Sequence, residues 1–345
     1  MHEARARFVS LPRKSKALRA AIQNIPKSLS DYYAVVAGNQ DENQYRNRYV
    51  DVVPYDRTRV VVVDDYAPGE RGGEGRYCNA NWVLERFGGK WWIASQAPLP
   101  NTSHTFLSLI AKPVTPPSSQ DSSRVRTVVQ LTQNLEDGRR KAHPYFPEVV
   151  GQHVIIHPEG DHGPAFEVKL EKQESIDEAR CVKSTVSFSP LNQSTSPIIF
   201  QHLLYYAWPD RGIPEPEDRD GLLAFARLVD RTNRDTSGLP DEALDPDPPI
   251  IVGCSAGIGR TGSFVALSSL LRAHGVLQPP ARPTPASVVQ ASPLGLLPEP
   301  LQNDMVVQEV DFLREQRPGM VQRSEQLVVI YEILSAALKS GSTGS

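Results

Sequence analysis

A cysteine and an arginine separated by five residues stand out in this chain of 345 residues. The segment 249–264 reads PIIVGCSAGIGRTGSF, in which an apolar run leads to Cys254 and a glycine-containing loop leads to Arg260. Glycines let backbone N–H groups turn towards an anion, and a guanidinium matches two phosphate oxygens. The spacing therefore predicts a phosphate-binding loop that also contains a nucleophile.

Each half of this pattern has an ordinary interpretation. A lone cysteine after a strand is usually a small buried hydrophobe, and a lone glycine-rich loop is usually a turn or another kind of nucleotide loop. A Walker loop would need lysine after the last glycine, whereas Gly262 is followed by Ser263. The cysteine and the arginine loop together are a more specific signal than either half alone. Converging N–H dipoles and a helix N-terminus favour the thiolate form of the cysteine, and a thiolate can attack phosphorus.

The loop residues between the cysteine and the arginine are the predicted phosphate contacts, and Thr261 could donate to the departing sulfur. These contacts are Ser255, Ala256, Gly257, Ile258 and Gly259.

The elements around this loop follow a mixed α/β pattern, and the sequence has no internal repeat. Runs rich in β-branched and aromatic residues predict strands, and apolar residues at helical spacing predict helices. The predicted strands are 59–63, 91–93, 127–131, 153–156, 166–170, 200–207 and 250–252, and the predicted helices are 219–231, 260–274, 304–315 and 324–338.

Three proline-rich stretches interrupt the pattern at 112–126, 233–249 and 278–302. Because proline removes a backbone donor and blocks helix interiors, we interpret them as insertions, and the longest as a disordered surface loop. We expect them to interrupt a single domain over 27–340 rather than to divide it. We expect a basic segment or helix over 1–26, either solvated or in contact with a membrane or partner, and a flexible tail over 341–345.

Composition excludes several classes of protein. The formal net charge of -3 gives no overall basic field for nucleic acid, and no apolar run is long enough for a membrane span or a signal peptide. Three cysteines do not make a disulfide framework and favour a reducing compartment. We therefore expect a cytoplasmic protein, with nuclear access open. We also expect a monomer that uses no metal or cofactor.

The segment around Cys254 resembles the signature loop of the classical, tyrosine-specific protein tyrosine phosphatases, here of the single-domain non-receptor type. Other segments resemble that family in the same order: NRYVDVVPYDRTRV its phosphotyrosine-recognition loop, and YAWPDRGIP its mobile acid loop. YCNANWV, IASQAPLPNT and QRPGMVQRSEQ also match. The resemblance extends from about residue 47 to 331. It implies an α/β fold with a highly twisted mixed sheet flanked by helices on both faces.

The resemblance also implies roles in the acid loop and the recognition loop. Asp210 would be the general acid and then the base that activates water, in a closing loop for which Trp208 and Pro209 serve as hinge and anchor. Tyr49 would stack on the substrate ring and make the pocket too deep for phosphoserine. Asp51 would hold the substrate backbone, with plain surface charge as its alternative.

Four further residues match supporting positions of the family. Gln322 would orient the hydrolytic water, and Gln326 would support it. Glu136 would fix the guanidinium of Arg260, and Lys141 would face the acid loop or, alternatively, be an ordinary surface charge.

Two positions depart from the family. A buried histidine precedes the nucleophile in the family, whereas this chain has Gly253. We therefore expect an active enzyme whose Cys254 ionises less readily, and we expect that histidine at 253 would shift the acidic limb of the pH–rate profile downward. Val50 replaces a basic residue of some relatives, which weakens any preference for acidic substrates.

The leading hypothesis is hydrolysis of phosphotyrosine in proteins through a cysteinyl-phosphate intermediate. Gly253 motivates a second hypothesis, a phosphotyrosine-binding module without turnover. A third is a dual-specificity or lipid phosphatase, which shares the Cys-x5-Arg loop but usually lacks the segments around Tyr49 and Gln322.

Overall fold

The computed structural model describes residues 26–63, 75–160, 162–193, 195–209, 212–237 and 245–342, with side chains as far as 339. The predicted N-terminal helix and the last three residues of the predicted tail lie outside this range. Two short strand pairs accompany one large sheet. The strands are β1 (Arg59–Val62), β2 (Arg76–Leu84), β3 (Trp91–Gln96), β4 (Pro113–Val114), β5 (Ser123–Arg124), β6 (Thr127–Gln130), β7 (Leu135–Glu136), β8 (Arg139–Arg140), β9 (His153–Ile156), β10 (Phe166–Ile176), β11 (Cys181–Pro190), β12 (Ile198–Tyr205) and β13 (Ile250–Cys254).

The large sheet has nine strands in the order β1-β2-β3-β13-β6-β12-β11-β10-β9. β13 is central and parallel to both neighbours, so that Ile251 lies between Ile93 of β3 and Val128 of β6. β12 is also parallel to β6, and the remaining pairs are antiparallel. The predicted mixed α/β sheet is confirmed.

Helices cover both faces of the sheet, as predicted. Alternate residues of β13 face opposite cores: Val252 packs with Phe225 and Phe264 on one face, and Ile251 packs with Phe106 on the other. The helices are α1 (Lys27–Tyr32), α2 (Val36–Asn39), α3 (Asp41–Gln44), α4 (Ser103–Ala111), α5 (Arg219–Arg234), α6 (Gly259–Ala273), α7 (Met305–Gln316) and α8 (Ser324–Ser342). Asp304 caps α7 by accepting from two backbone N–H groups of its first turn.

Strands β2 and β11 and helix α4 were not predicted from the sequence. In β2 the reason is that polar residues lie at buried positions, since Asn79 and Asn81 are both buried and hydrogen bonded. A buried asparagine reads as polar in any hydrophobic pattern, so the strand signal disappears.

The proline-rich stretches are better anchored than predicted. In the longest, the N–H of Thr284 donates to the carbonyl of Gly89 at 2.9 Å, and Val288 and Val289 pack against a core. The prediction that 278–302 forms a disordered loop is therefore wrong. The first stretch forms the β4–β5 pair, and the second begins within α5.

Within the described residues, no helix combines the length and the apolar character needed to cross a bilayer. The three cysteines, Cys78, Cys181 and Cys254, are all free thiols.

Candidate active site

The loop after β13 is held against the neighbouring strand by backbone contacts. The N–H of Ala97 donates to the carbonyl of Cys254 at 2.9 Å, and the Cys254 side chain is buried. Gly257 has a φ of 71°, and a Cβ there would lie 2.2 Å from the Ser95 carbonyl oxygen. Only glycine suits this position. α6 begins two residues later, so its N-terminal amides lie beside the loop.

Arg260 is fixed by a two-pronged ion pair, as predicted for Glu136. Its Nη1 and Nη2 donate to the two carboxylate oxygens of Glu136 at 2.7 and 2.8 Å, and both side chains are buried. Glu136 also accepts from the hydroxyl of Thr132 at 2.8 Å. Arg260 Nη1 donates further to the carbonyl of Leu131 at 3.0 Å. The guanidinium plane is thereby held in one orientation.

Tyr49 reaches the loop directly. The Ser255 hydroxyl donates to the carbonyl of Lys141 at 2.7 Å, so the Tyr49 hydroxyl is the donor in its 2.8 Å contact with Ser255 Oγ. Asp51, two residues after Tyr49 in the chain, is exposed, and Val50 is 82% exposed. The structure thus brings the recognition segment, the loop and the backbone of Lys141 together.

The acid loop contacts the guanidinium of Arg260. Trp208 is buried, and its indole N–H donates to the carbonyl of Gly212 at 3.2 Å. Arg260 Nη2 donates to the carbonyl of Pro209 at 3.1 Å. Asp210, the predicted general acid, lies outside the described residues, although its neighbour Pro209 contacts the clamp.

The two glutamines lie beside the start of α6. A Cβ at Gly259 would come within 3.4 Å of Gln322 Cβ and 2.9 Å of Gln326 Nε2. Gln322 is exposed, and Gln326 is buried with its Oε1 accepting from the N–H of Arg323 at 3.2 Å. Thr261 is fully buried, and its hydroxyl has no hydrogen-bond partner among the described residues.

Arg317 is a site residue that the sequence did not reveal. Its side chain is fully buried beneath the loop, and it donates to the carbonyls of Gly257 at 2.7 Å and Ala256 at 3.1 Å. It also donates to the side-chain oxygens of Asn81 at 2.8 Å and Asn79 at 2.9 Å. By holding carbonyls on this side, the guanidinium leaves the N–H groups of the loop free to face an anion.

Burial lowers the pKa of Arg317 to about 10, which still leaves the side chain charged at neutral pH. A buried positive charge of this kind favours an anion or a thiolate nearby. Arg317 lies in the segment QRPGMVQ, which matched the family, but this match did not single out the arginine. Arginine is rarely buried, and no local sequence pattern reveals the distant partners of Arg317.

Gly253, the departure from the family, faces the Ser95 carbonyl across the parallel pair of β13 and β3. A Cβ at 253 would lie 2.7 Å from that carbonyl oxygen, which is a backbone atom and cannot rotate away. Any side chain at this position therefore requires the two strands to separate. The expected effect of histidine at 253 on ionisation would be mixed with this steric cost.

The assembled site defines a class of protein. A nucleophile on a central strand, a helix N-terminus, a fixed guanidinium and a neighbouring tyrosine can bind an oxyanion and attack it. The family model described as protein-tyrosine phosphatase matches residues 43–278. The chain belongs to the protein tyrosine phosphatase family.

Both non-receptor and receptor relatives are similar to the chain. Human tyrosine-protein phosphatase non-receptor type 14 is 30% identical over 233 residues, which cover 67% of this chain and 17% of the relative. Mouse receptor-type tyrosine-protein phosphatase eta is 31% identical over 245 residues, covering 71% and 16%. Tyrosine-protein phosphatase 99A of Drosophila melanogaster is 28% identical over 331 residues, covering 94% and 20%. The chain thus matches only about a fifth of the length of these relatives.

Proposed function

We propose that this chain hydrolyses phosphotyrosine in proteins through a cysteinyl-phosphate intermediate. The Sγ thiolate of Cys254 attacks phosphorus while the bond from phosphorus to the tyrosine oxygen breaks. Asp210 gives its carboxyl proton to the departing phenolate oxygen. The loop amides and Arg260 hold the non-bridging oxygens, so that charge is stabilised as the transition state forms.

In the second step Asp210, now ionised, takes a proton from water oriented by Gln322. The water oxygen bonds to phosphorus and the bond from phosphorus to sulfur breaks. Inorganic phosphate leaves, and Cys254 returns to the thiolate, to which Thr261 can donate. No metal or cofactor enters this scheme.

The paired contact between Arg260 and Glu136 is the observation that supports the proposal most strongly. A guanidinium held by a buried carboxylate, beside a cysteine on the adjacent loop, is organised before a ligand binds. The hydrogen bond from Tyr49 to Ser255 supports phosphotyrosine as the substrate, because it places an aromatic ring at the edge of the same loop.

Turnover of an aryl phosphate by the purified chain tests the proposal, with Cys254→Ser as the control. We expect hydrolysis that disappears in Cys254→Ser, and phosphotyrosine peptides cleaved far faster than matched phosphoserine peptides. Equal rates on both peptides would favour a dual-specificity enzyme, and turnover that survives in Cys254→Ser would contradict the mechanism.

A phosphotyrosine-binding module is the second candidate function, and Gly253 is the observation that favours it. Such a module would bind a phosphotyrosine peptide without releasing phosphate. Asp210→Ala separates the two cases in a pull-down from a lysate. An enzyme should trap phosphotyrosine proteins more strongly as Asp210→Ala than as wild type, whereas a binding module should capture them equally in both forms.

The cytoplasmic location and the monomeric state stay predictions.

A further inference from the structure

A small cavity lies behind the nucleophile strand, on the face of the sheet opposite the Cys254 side chain. Gly253 and Ile251 share this face of β13, since alternate residues of a strand point the same way. Tyr145, Gln130 and Phe106 also line the cavity. We call it the Tyr145 cavity. It occupies the side of the strand into which a side chain at position 253 would project.

Tyr145 is held rigidly at this cavity. Its ring makes edge-to-face contacts with Phe106, Phe146 and His202, with ring centroids 5.0, 5.2 and 6.0 Å apart. The side chain is 3% exposed, and its hydroxyl has no hydrogen-bond partner within the described part of the protein. A buried hydroxyl without a partner is costly, so this one calls for a ligand that can both donate and accept.

The surroundings of the cavity exclude an ionic ligand. Cys254 also borders the cavity, although its side chain belongs to the opposite face of β13. Among the other lining residues, the Tyr145 hydroxyl is the ionisable group, and burial raises its pKa. The neighbouring His202 is neutral, since burial lowers its pKa to about 3. Its Nε2–H donates to Gln130 Oε1 at 3.2 Å, which leaves that oxygen a second lone pair.

The size of the cavity selects the ligand. The space open to the centre of a water molecule is about 20 Å³, and one water molecule needs roughly 10–15 Å³ of such space and two to four polar partners. We propose that the Tyr145 cavity binds a single water molecule, held by the Tyr145 hydroxyl and the polar groups that line the cavity. The water supports the strand that delivers Cys254, at the place where this chain has no side chain.

Tyr145→Phe tests the proposal through the sign of its effect on stability. If the hydroxyl anchors a water molecule, its removal should raise the equilibrium constant for unfolding about fivefold. If the hydroxyl has no partner, its removal should leave that constant unchanged or lower it, which would overturn the proposal. Tyr331→Phe is the control for loss of a tyrosine hydroxyl, since the Tyr331 hydroxyl donates to Asp304 at an exposed position.

A crystal structure of the wild-type chain provides a second, direct readout. We expect a water molecule about 2.7–2.8 Å from Tyr145 Oη that is absent in Tyr145→Phe. A wild-type hydroxyl bonded to a protein atom, or a well-defined cavity without density, would overturn the proposal. Neither readout depends on phosphatase activity, so failure of this inference is separable from failure of the proposed function.

Discussion

The two sides of the nucleophile loop differ in charge and in hydrogen bonding. On one side the charged Arg317 donates to two loop carbonyls and two asparagine oxygens. On the other side Gly253 contributes no side chain, and the hydroxyl of Tyr145 is buried with no hydrogen-bond partner among the described residues. The first side is charged and hydrogen bonded, whereas the second side is uncharged and contains the Tyr145 cavity.

This difference shows where the loop geometry originates. The side with Arg317 orients the carbonyls and supplies positive charge, so we expect the site to bind an anion even though the family histidine is replaced by Gly253. The side with Tyr145 contributes support for the strand rather than charge. We therefore expect changes on the first side to cost more than changes on the second.

Arg317→Met should have the largest effect. It leaves four buried oxygens without their donor, so the free energy of unfolding should fall by about 3 kcal/mol or more, and hydrolysis should be lost with the loop geometry. Denaturant unfolding measures the stability. Arg282→Met is the control, because Arg282 makes an exposed ion pair with Asp121, and this variant should change stability by less than about 1 kcal/mol. Equal effects of the two variants would contradict the comparison.

Gly253→Ala should have the next largest effect. Its Cβ would meet the Ser95 carbonyl oxygen at 2.7 Å, and overpacking of this kind costs about 1–3 kcal/mol. Thermal or denaturant unfolding is the measurement. An alanine variant as stable as the wild type would show that β3 and β13 separate easily. In that case a histidine substitution at 253 would test the ionisation of Cys254 without a steric cost.

His202→Gln should change how stability depends on pH. Burial lowers the pKa of His202 to about 3, below the value of about 6.5 in the unfolded chain. The unfolded state therefore binds more protons between these values, and stability should fall with decreasing pH by at most about 1.4 kcal/mol per unit. His202→Gln should flatten this slope below pH of about 6.5, whereas the exposed His153→Gln should not. An unchanged slope in His202→Gln would show that the imidazole is not buried.

Tyr49→Phe should have the smallest effect. It removes only the hydrogen bond to Ser255, worth about 0.5–1.5 kcal/mol, so kcat/KM on a phosphotyrosine peptide should fall about two- to tenfold. The preference over phosphoserine should remain, because the ring is kept. If Tyr49→Phe loses that preference, the hydroxyl and not the ring determines specificity.

The sequence predicted the parts of the site that are encoded locally. The segment from Ile250 to Arg260 specifies its own strand, loop and helix, and Glu136 followed from a short match to the family. Arg317 and Tyr145 were missed because their importance depends on contacts with residues far away along the chain. The same reason hid β2, whose buried asparagines are satisfied by distant partners, and the ordered packing of Val288 and Val289.

Transfer of the phosphoryl group to Cys254 can be tested by trapping the phosphorylated intermediate. Gln322→Ala should slow hydrolysis of the intermediate. This variant would be mixed with a phosphotyrosine peptide labelled on phosphate, quenched, digested and mapped. We expect label on Cys254 and none when Cys254→Ser is added to the same variant. Label on another residue, or label that survives Cys254→Ser, would show that Cys254 does not accept the phosphoryl group.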